Sequence, residues 1–365
     1  MRYHNVCLEA VSYCLPEETV SSEELERRLE PLYQRLRLPE GRLELMSGIR
    51  ERRFWPPGVL PGDKSITSGE LALAAAGVER RDIGLLIHGS VCRDHLEPAT
   101  ACRVHHALGL PRRCVVYDVS NACLGLLNGV LQAANMIELG QIRAALVVGT
   151  ESSRALVETT VDALNRDLAL TRSSIKSAIA SLTIGSGSSA ILLVHREQSR
   201  TGNRLVAAAV RANTDFHQLC QSGRDEAAGS GMQPLMETDS EQLMREGIAT
   251  GVETFGDFLE SAAWQPADIE RTFCHQVGAA HRKLMLESLG LPVERDFVTF
   301  PWLGNTGSVA LPVTLAIGLH GGHVQPGQRI ALLGIGSGIN SVMLAVDWRT
   351  TRLGTPGPCP AWGQA

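Results

Sequence analysis

RAALVVGTES at residues 143–152 and RIALLGIGSG at residues 329–338 share one pattern: an arginine, an apolar run of strand length and a Gly-containing, serine-bearing exit. DIGLLIHGSV (82–91) and DIERTFCHQV (268–277) form a second pair, each strand-like and each following a helix-like segment. The step along the chain from the first member to the second is identical in the two pairs. Two independent matches at one offset indicate a duplicated unit. The expected halves are residues 1–195 and 203–350, and the Pro/Gly-rich residues 351–365 are expected to form a flexible, fraying tail.

Within each half, short apolar or β-branched runs alternate with amphipathic segments, the pattern of helices covering a largely parallel sheet. VVYDV, AALVVG and SAILLV are strands of the first half; RLVAAAV, RTFCHQV, RIALLGI and SVMLAVDW are strands of the second. SSEELERRL (21–29) opens a helix with a serine cap and an acidic first turn, and TSGELALAAAG (67–77) is a helix closed by glycine. Residues 151–182 are charged and helical without a strand partner, an insertion expected to lie over the sheet edge.

Of the 365 residues, 44% are hydrophobic and 20% charged, the balance of a soluble globular protein. A net charge of -5 and no basic run longer than RERR (50–53) argue against nucleic acid or anionic lipid as partners. Two long uncharged stretches carry Asn, Gln, Ser and Gly, which suits buried core rather than a membrane span. The first twenty residues contain Glu9, Glu17 and Glu18 and lack a signal-peptide pattern, so the expected location is the cytoplasm. Nine cysteines, an odd number without a CxxC pair, fit a reducing compartment and neither a disulfide framework nor a zinc site.

YDVSNACLGLLNG (117–129) places Cys123 between a strand and an apolar helix, where free N–H groups and the helix dipole favour a thiolate. CHQVGAAH (274–281) puts His275 at a strand exit, and WLGNTGSVALP (302–312) puts Asn305 in a Gly-flanked turn before a second apolar helix. Each has a bland reading alone: a buried thiol, a core histidine, a turn asparagine. A cysteine at a strand-to-helix elbow with His and Asn far downstream is nonetheless an arrangement used for nucleophilic catalysis.

These segments, with RIALLGIGSG and SGIRERR (47–53), resemble the thiolase-fold condensing enzymes of the ketoacyl synthase III type over residues 1 to about 350. The resemblance implies an α/β thiolase fold of two duplicated halves, layered α-β-α-β-α with mixed five-stranded sheets. It implies that Cys123 accepts an acyl group, that the N–H groups of Cys123 and Ser337 form one oxyanion hole, and that His275 and Asn305 form a second. SVCRDHLEPATA (90–101) is similar to the segment of the olefin-pathway OleA-type enzymes in which a glutamate reaches the partner subunit's site as base, and Glu97 matches it. The implied activity is non-decarboxylative condensation of two acyl-CoA molecules to a 2-alkyl-3-ketoacyl product in a homodimer, with no metal or bound cofactor and with downstream pathway enzymes as possible partners. The Glu97 carboxyl, buried beside an acyl tunnel, would be held above its usual range. A malonyl-dependent ketoacyl synthase III and a non-catalytic acyl-binding relative are the alternatives. The Trp that precedes TGIR in starter synthases is missing from GRLELM (41–46), so coenzyme A contacts must differ; Ala280 stands where they carry Arg, with Arg282 close by, and Ser186 stands where many relatives carry Asp.

Overall fold

The computed structural model describes residues 1–223 and 235–363. The chain begins with strand β1 (Val6–Cys14), then β2 (Glu18–Ser21), helices α1 (Ser22–Arg28), α2 (Glu30–Leu36) and α3 (Arg42–Ser47), and β3 (Glu51–Phe54). It continues through α4 (Pro61–Ala76), β4 (Ile83–Gly89), α5 (Thr100–Ala107), β5 (Val115–Val119), α6 (Gly125–Glu138) and β6 (Ala144–Glu151). Helices α7 (Arg154–Arg166) and α8 (Lys176–Ile179) precede β7 (Gly187–His195). The second half has β8 (Arg204–Ala212), β9 (Cys220–Ser222), β10 (Met236–Thr238), α9 (Ser240–Ala262), β11 (Arg271–Cys274), α10 (Ala279–Leu289) and α11 (Phe300–Leu303). It ends with α12 (Ala310–His320), β12 (Arg329–Gly336), β13 (Asn340–Asp347) and β14 (Leu353–Gly354).

The strand order is β5-β4-β6-β7-β1 in the first half and β11-β12-β13-β8 in the second. The constant offset of the repeat superposes β6 on β12 and carries the start of α6 to the residue beside the start of α12. Both sheets are mixed: β5, β4 and β6 run parallel, as do β11 and β12, and the remaining main pairings are antiparallel. In the second half the place of β5 is taken by an isolated bridge, Thr272 to Asp296, so that sheet has four strands and a bridge rather than five strands. A single register pair, Cys7 with Arg204, joins the two sheets along β1 and β8.

Helices α6 and α12 share one core with strands of both sheets, including Ile87, Val147, Leu332 and Leu344. Ten of the eleven residues of α12 are buried, as a helix between two sheets requires. Residues of β4 and β6 pointing the other way, such as Leu86 and Leu146, form a second core with Ala72 and Leu73 of α4 and Val104 of α5. Phe255 and Phe258 of α9 and Leu286 of α10 cover the outer face of the second sheet. The result is the five layers expected.

Ser21 caps α1 by accepting the Glu24 N–H at 3.0 Å. Helix α4 starts at Pro61, ahead of the expected Thr67, and Gly77 ends it in the left-handed region. The segment 151–182 does not cover the sheet edge. Val157, Val161, Leu164 and Ile175 pack instead with Leu25, Leu29, Leu32 and Phe54, because an amphipathic helix seeks an apolar partner and residues 20–54 offer one. The tail is likewise held against the fold: β14 pairs with β1, and Trp362 stacks on Trp302 with centroids 6.0 Å apart. No described helix is long and apolar enough to cross a membrane.

Candidate active site

Between β5 and α6 the chain turns sharply. Ala122 sits at φ 44, a left-handed conformation that costs a non-glycine residue energy and therefore needs support. That support is a polar chain: Asn121 Nδ2 donates to Asn128 Oδ1 at 2.8 Å, and Asn340 Nδ2 donates to Asn121 Oδ1 and to Ser337 O, both at 3.2 Å. Helix α6 sits directly on the end of β4 because neither chain carries a side chain at the contact. A Cβ on Gly89 would stand 2.6 Å from Leu126 Cα, and one on Gly125 would stand 3.1 Å from the Gly89 carbonyl carbon. Cys123 is thereby fixed beside the turn after β12, where a Cβ on Gly336 would lie 3.4 Å from its own.

Burial pushes the Cys123 thiol up to about 12, and the neighbouring Cys220 and Glu151 push in the same direction. The backbone N–H groups of Ser337 and of Cys123 itself act the other way, without prevailing. This reverses the expectation of a helix-stabilised thiolate. The N-cap of α6 is Leu124, so Cys123 lies outside the first turn, and desolvation outweighs the dipole. Alkylation of Cys123 by iodoacetamide is accordingly expected to be slow at pH 7 and to rise about tenfold per pH unit to pH 10 without levelling, since only the thiolate reacts. A plateau below pH 9 would contradict the raised value.

His275 follows β11, donates its N–H to Leu333 O at 3.1 Å, and is 3% exposed. Burial, and secondarily His281, lower its pKa to about 3, so the ring is neutral near pH 7. Both ring nitrogens are buried, without a hydrogen-bond partner among the described residues. The next residue fastens the following turn: Gln276 Oε1 accepts the N–H groups of Thr299 (2.9 Å) and Phe300 (3.2 Å) at the start of α11, which leads to Asn305.

Asn305 is clamped from the other side by the end of the inserted segment. It donates its N–H to Thr183 O and accepts from Gly185 N–H, each at 2.9 Å. Its Oδ1 accepts from Gly307 N–H at 3.0 Å, which leaves Nδ2 to donate outward. Gly149 of β6 brings the two elbows together, since a Cβ there would meet Leu126 and Val309 side chains, each at 3.1 Å. Cys123 and Ser337 are in direct contact, and the His275 and Asn305 turns are tied through Gln276.

Glu97 is placed differently. In the single chain it is exposed, on the loop from Ser90 to Ala99 that links β4 to α5. Arg282 is engaged by the Asp296 carboxylate (2.7 Å) and two backbone carbonyls, so it is not free for phosphate. Ser186, at the position where many relatives carry Asp, accepts the Ser153 N–H at 3.0 Å.

A family model for thiolase N-terminal domains matches residues 65–197, and one for the C-terminal part of 3-oxoacyl-[acyl-carrier-protein] synthase III matches residues 259–348. An acyl-CoA:acyl-CoA alkyltransferase of Shewanella oneidensis is 41% identical over 95% of this chain and 100% of its own length. The chain belongs to the acyl-CoA:acyl-CoA alkyltransferase family. The alkyltransferase of Xanthomonas campestris is 33% identical over 95% of this chain and 100% of its own. Crystal structures of Xanthomonas campestris OleA share the fold at 32% identity. A Cys-to-Ser variant with bound lauric acid and lauroyl-CoA gives a TM-score of 0.88 over 95% of this chain and 100% of that one. A Glu-to-Ala variant gives 0.89 over 95% and 99%.

In this alkyltransferase family member Glu151 and Ser308 also meet beside the Asn305 turn, with the Ser308 hydroxyl donating to Glu151 Oε1 at 2.5 Å. The duplication itself carried the signal for Glu151, because the offset that pairs β6 with β12 pairs Glu151 with Ser337, and the one that pairs β4 with β11 pairs Gly89 with His275. Each half thus supplies different side chains at equivalent strand exits, the crevice where open α/β sheets bind ligands.

Proposed function

We propose that this chain condenses two acyl-CoA molecules head to head through an acyl-enzyme on Cys123. In the first step the Cys123 sulfur attacks the thioester carbonyl, the C–S bond to coenzyme A breaks, and the thiol proton leaves with coenzyme A as its thiol. The N–H groups of Cys123 and Ser337 stabilise the oxyanion. In the second step a base removes the α-proton of another acyl-CoA, and His275 and Asn305 Nδ2 hold the enolate oxygen. The carbanion attacks the acyl-enzyme, giving a 2-alkyl-3-ketoacyl-CoA, and the proton returns to the Cys123 sulfur. A neutral imidazole suits this role, since it donates one N–H without titrating.

Glu97 of the partner subunit is the base in this reading. The supporting observations are its exposed loop, with Val91 and Leu96 43% and 47% exposed, and the unpaired edge of β5, where Val115 is 43% exposed. In the Xanthomonas structures the substituted glutamate precedes the substituted cysteine by the same interval of chain that separates Glu97 from Cys123 here. We place the enzyme in the cytoplasm as a homodimer, acting on coenzyme A thioesters without a bound cofactor; its nine free thiols fit a reducing compartment. The halves 1–195 and 203–350 then divide the work, the first holding Cys123 and Glu97 and the second His275, Asn305 and Ser337.

The single observation that carries the proposal is the close approach of Cys123 to the exit of β12 at the junction of the two halves, where a Cβ on Gly336 would lie 3.4 Å from the Cys123 Cβ. With lauroyl-CoA alone, the expected result is a lauroyl adduct on Cys123 by mass spectrometry and a condensed product without carbon dioxide. Product formed only with malonyl-CoA, with carbon dioxide released, would instead establish a decarboxylating synthase.

A further inference from the structure

Glu151 ends β6, is 5% exposed, and takes its hydrogen bonds from neutral donors rather than from a cation. Its Oε1 accepts the Val91 N–H (3.0 Å), the Ser308 N–H (3.3 Å) and the Ser308 hydroxyl (2.5 Å), and its Oε2 accepts the Cys92 N–H (3.2 Å). Val91 and Cys92 begin the loop to Glu97, and Ser308 belongs to the turn just after Asn305. Gly307, at φ 56, lets that turn close in, since a Cβ there would lie 3.1 Å from Glu151 Cγ. We propose that Glu151 is a positioning residue for condensation: its carboxylate locks the loop carrying Glu97 to the turn carrying Asn305. The inference rests on the two-step reading above.

A buried carboxylate without a cation is costly, and this one disfavours the Cys123 thiolate, so it works against the acylation step. Its presence is explained by a gain in the other step. Both oxygens must accept, because donors approach each of them. An amide has one acceptor, so Glu151→Gln either turns its NH2 toward the Cys92 N–H or faces the three donors now on Oε1. In either orientation one anchor is lost, while the buried negative charge disappears.

The test separates the half-reactions with lauroyl-CoA in the full-length enzyme. For Glu151→Gln we expect acylation of Cys123 at or above the wild-type rate, condensation lowered at least about tenfold, and alkylation of Cys123 by iodoacetamide a few-fold faster at pH 8. For Ser308→Ala, which keeps the charge, condensation falls several-fold and alkylation is unchanged. Wild-type condensation in Glu151→Gln, or acylation and condensation falling in parallel, overturns the proposal. If Glu151→Gln does not fold, Ser308→Ala decides, and unchanged condensation there overturns it. A wild-type enzyme that forms no adduct on Cys123 refutes the two-step reading, and this inference with it; adduct and product in wild type together with indifferent variants refute this inference alone.

Discussion

Cys123→Ala is expected to lower formation of condensed product from lauroyl-CoA by at least about 10⁴-fold, the scale of removing a covalent nucleophile. The thiol forms the acyl-enzyme, and no neighbouring group replaces it. Cys220 is close enough to influence the Cys123 sulfur, but it lies on the separate two-stranded sheet of β9 and β10, where its sulfur accepts from Thr238 Oγ1 at 3.4 Å. An acyl adduct should therefore disappear from the protein rather than move to residue 220. Stability should change by no more than about 1 kcal/mol, because one small, neutral, half-buried group is removed from a turn whose polar chain through Asn121, Asn128 and Asn340 stays intact. Product above one hundredth of wild type, or an adduct of equal yield on Cys220, would contradict the assignment.

Glu97→Gln is expected to leave acylation of Cys123 within about threefold of wild type and to lower condensation by about 10² to 10⁴, the contribution of a placed general base. Coenzyme A release in the first turnover and product in later turnovers separate the two. A mixture of subunits adds the geometry. If Glu97 serves the partner's Cys123, Glu97→Gln and Cys123→Ala proteins, each inactive in condensation, regain about a quarter of wild-type activity when mixed one to one and allowed to exchange, since half of the dimers are mixed and each holds one complete site. A base acting within its own subunit would give no recovery. Unchanged condensation in Glu97→Gln removes it from the reaction.

The mixed-subunit test is needed because one chain cannot display what a second completes. The loop that carries Glu97 leaves the sheet beside the edge strand β5, and its side chain is exposed in the isolated subunit. Sequence resemblance named the residue; its surroundings in an assembled site depend on a second subunit and are not set by one chain.

Periodicity and repetition are local or translational properties, and they were legible. VVYDV coincides with β5, RIALLGI with β12, and the serine cap with the start of α1. The constant offset between the two copies named the equivalent strands because both must satisfy the same alternation of buried strand and covering helix. Its counterpart in the structure is the close correspondence of α6 and α12, the two helices between the sheets. The expected edge position of 151–182 failed for a nonlocal reason: an amphipathic face states that a partner is needed, and only packing states that the partner is residues 20–54.

The sequence by itself determined the repeat, the element types and the presence of Cys123, His275 and Asn305 at strand exits and turns, since these follow from pattern and spacing. The tertiary structure alone decided the ionisation of Cys123 and His275, the anchoring of Asn305 through Thr183 and Gly185, and the meeting of Glu151 with Ser308. Desolvation depends on how much protein surrounds a group from every direction, and a hydrogen bond between groups so far apart in the chain depends on closure of the whole fold. Neither quantity is written in any local stretch.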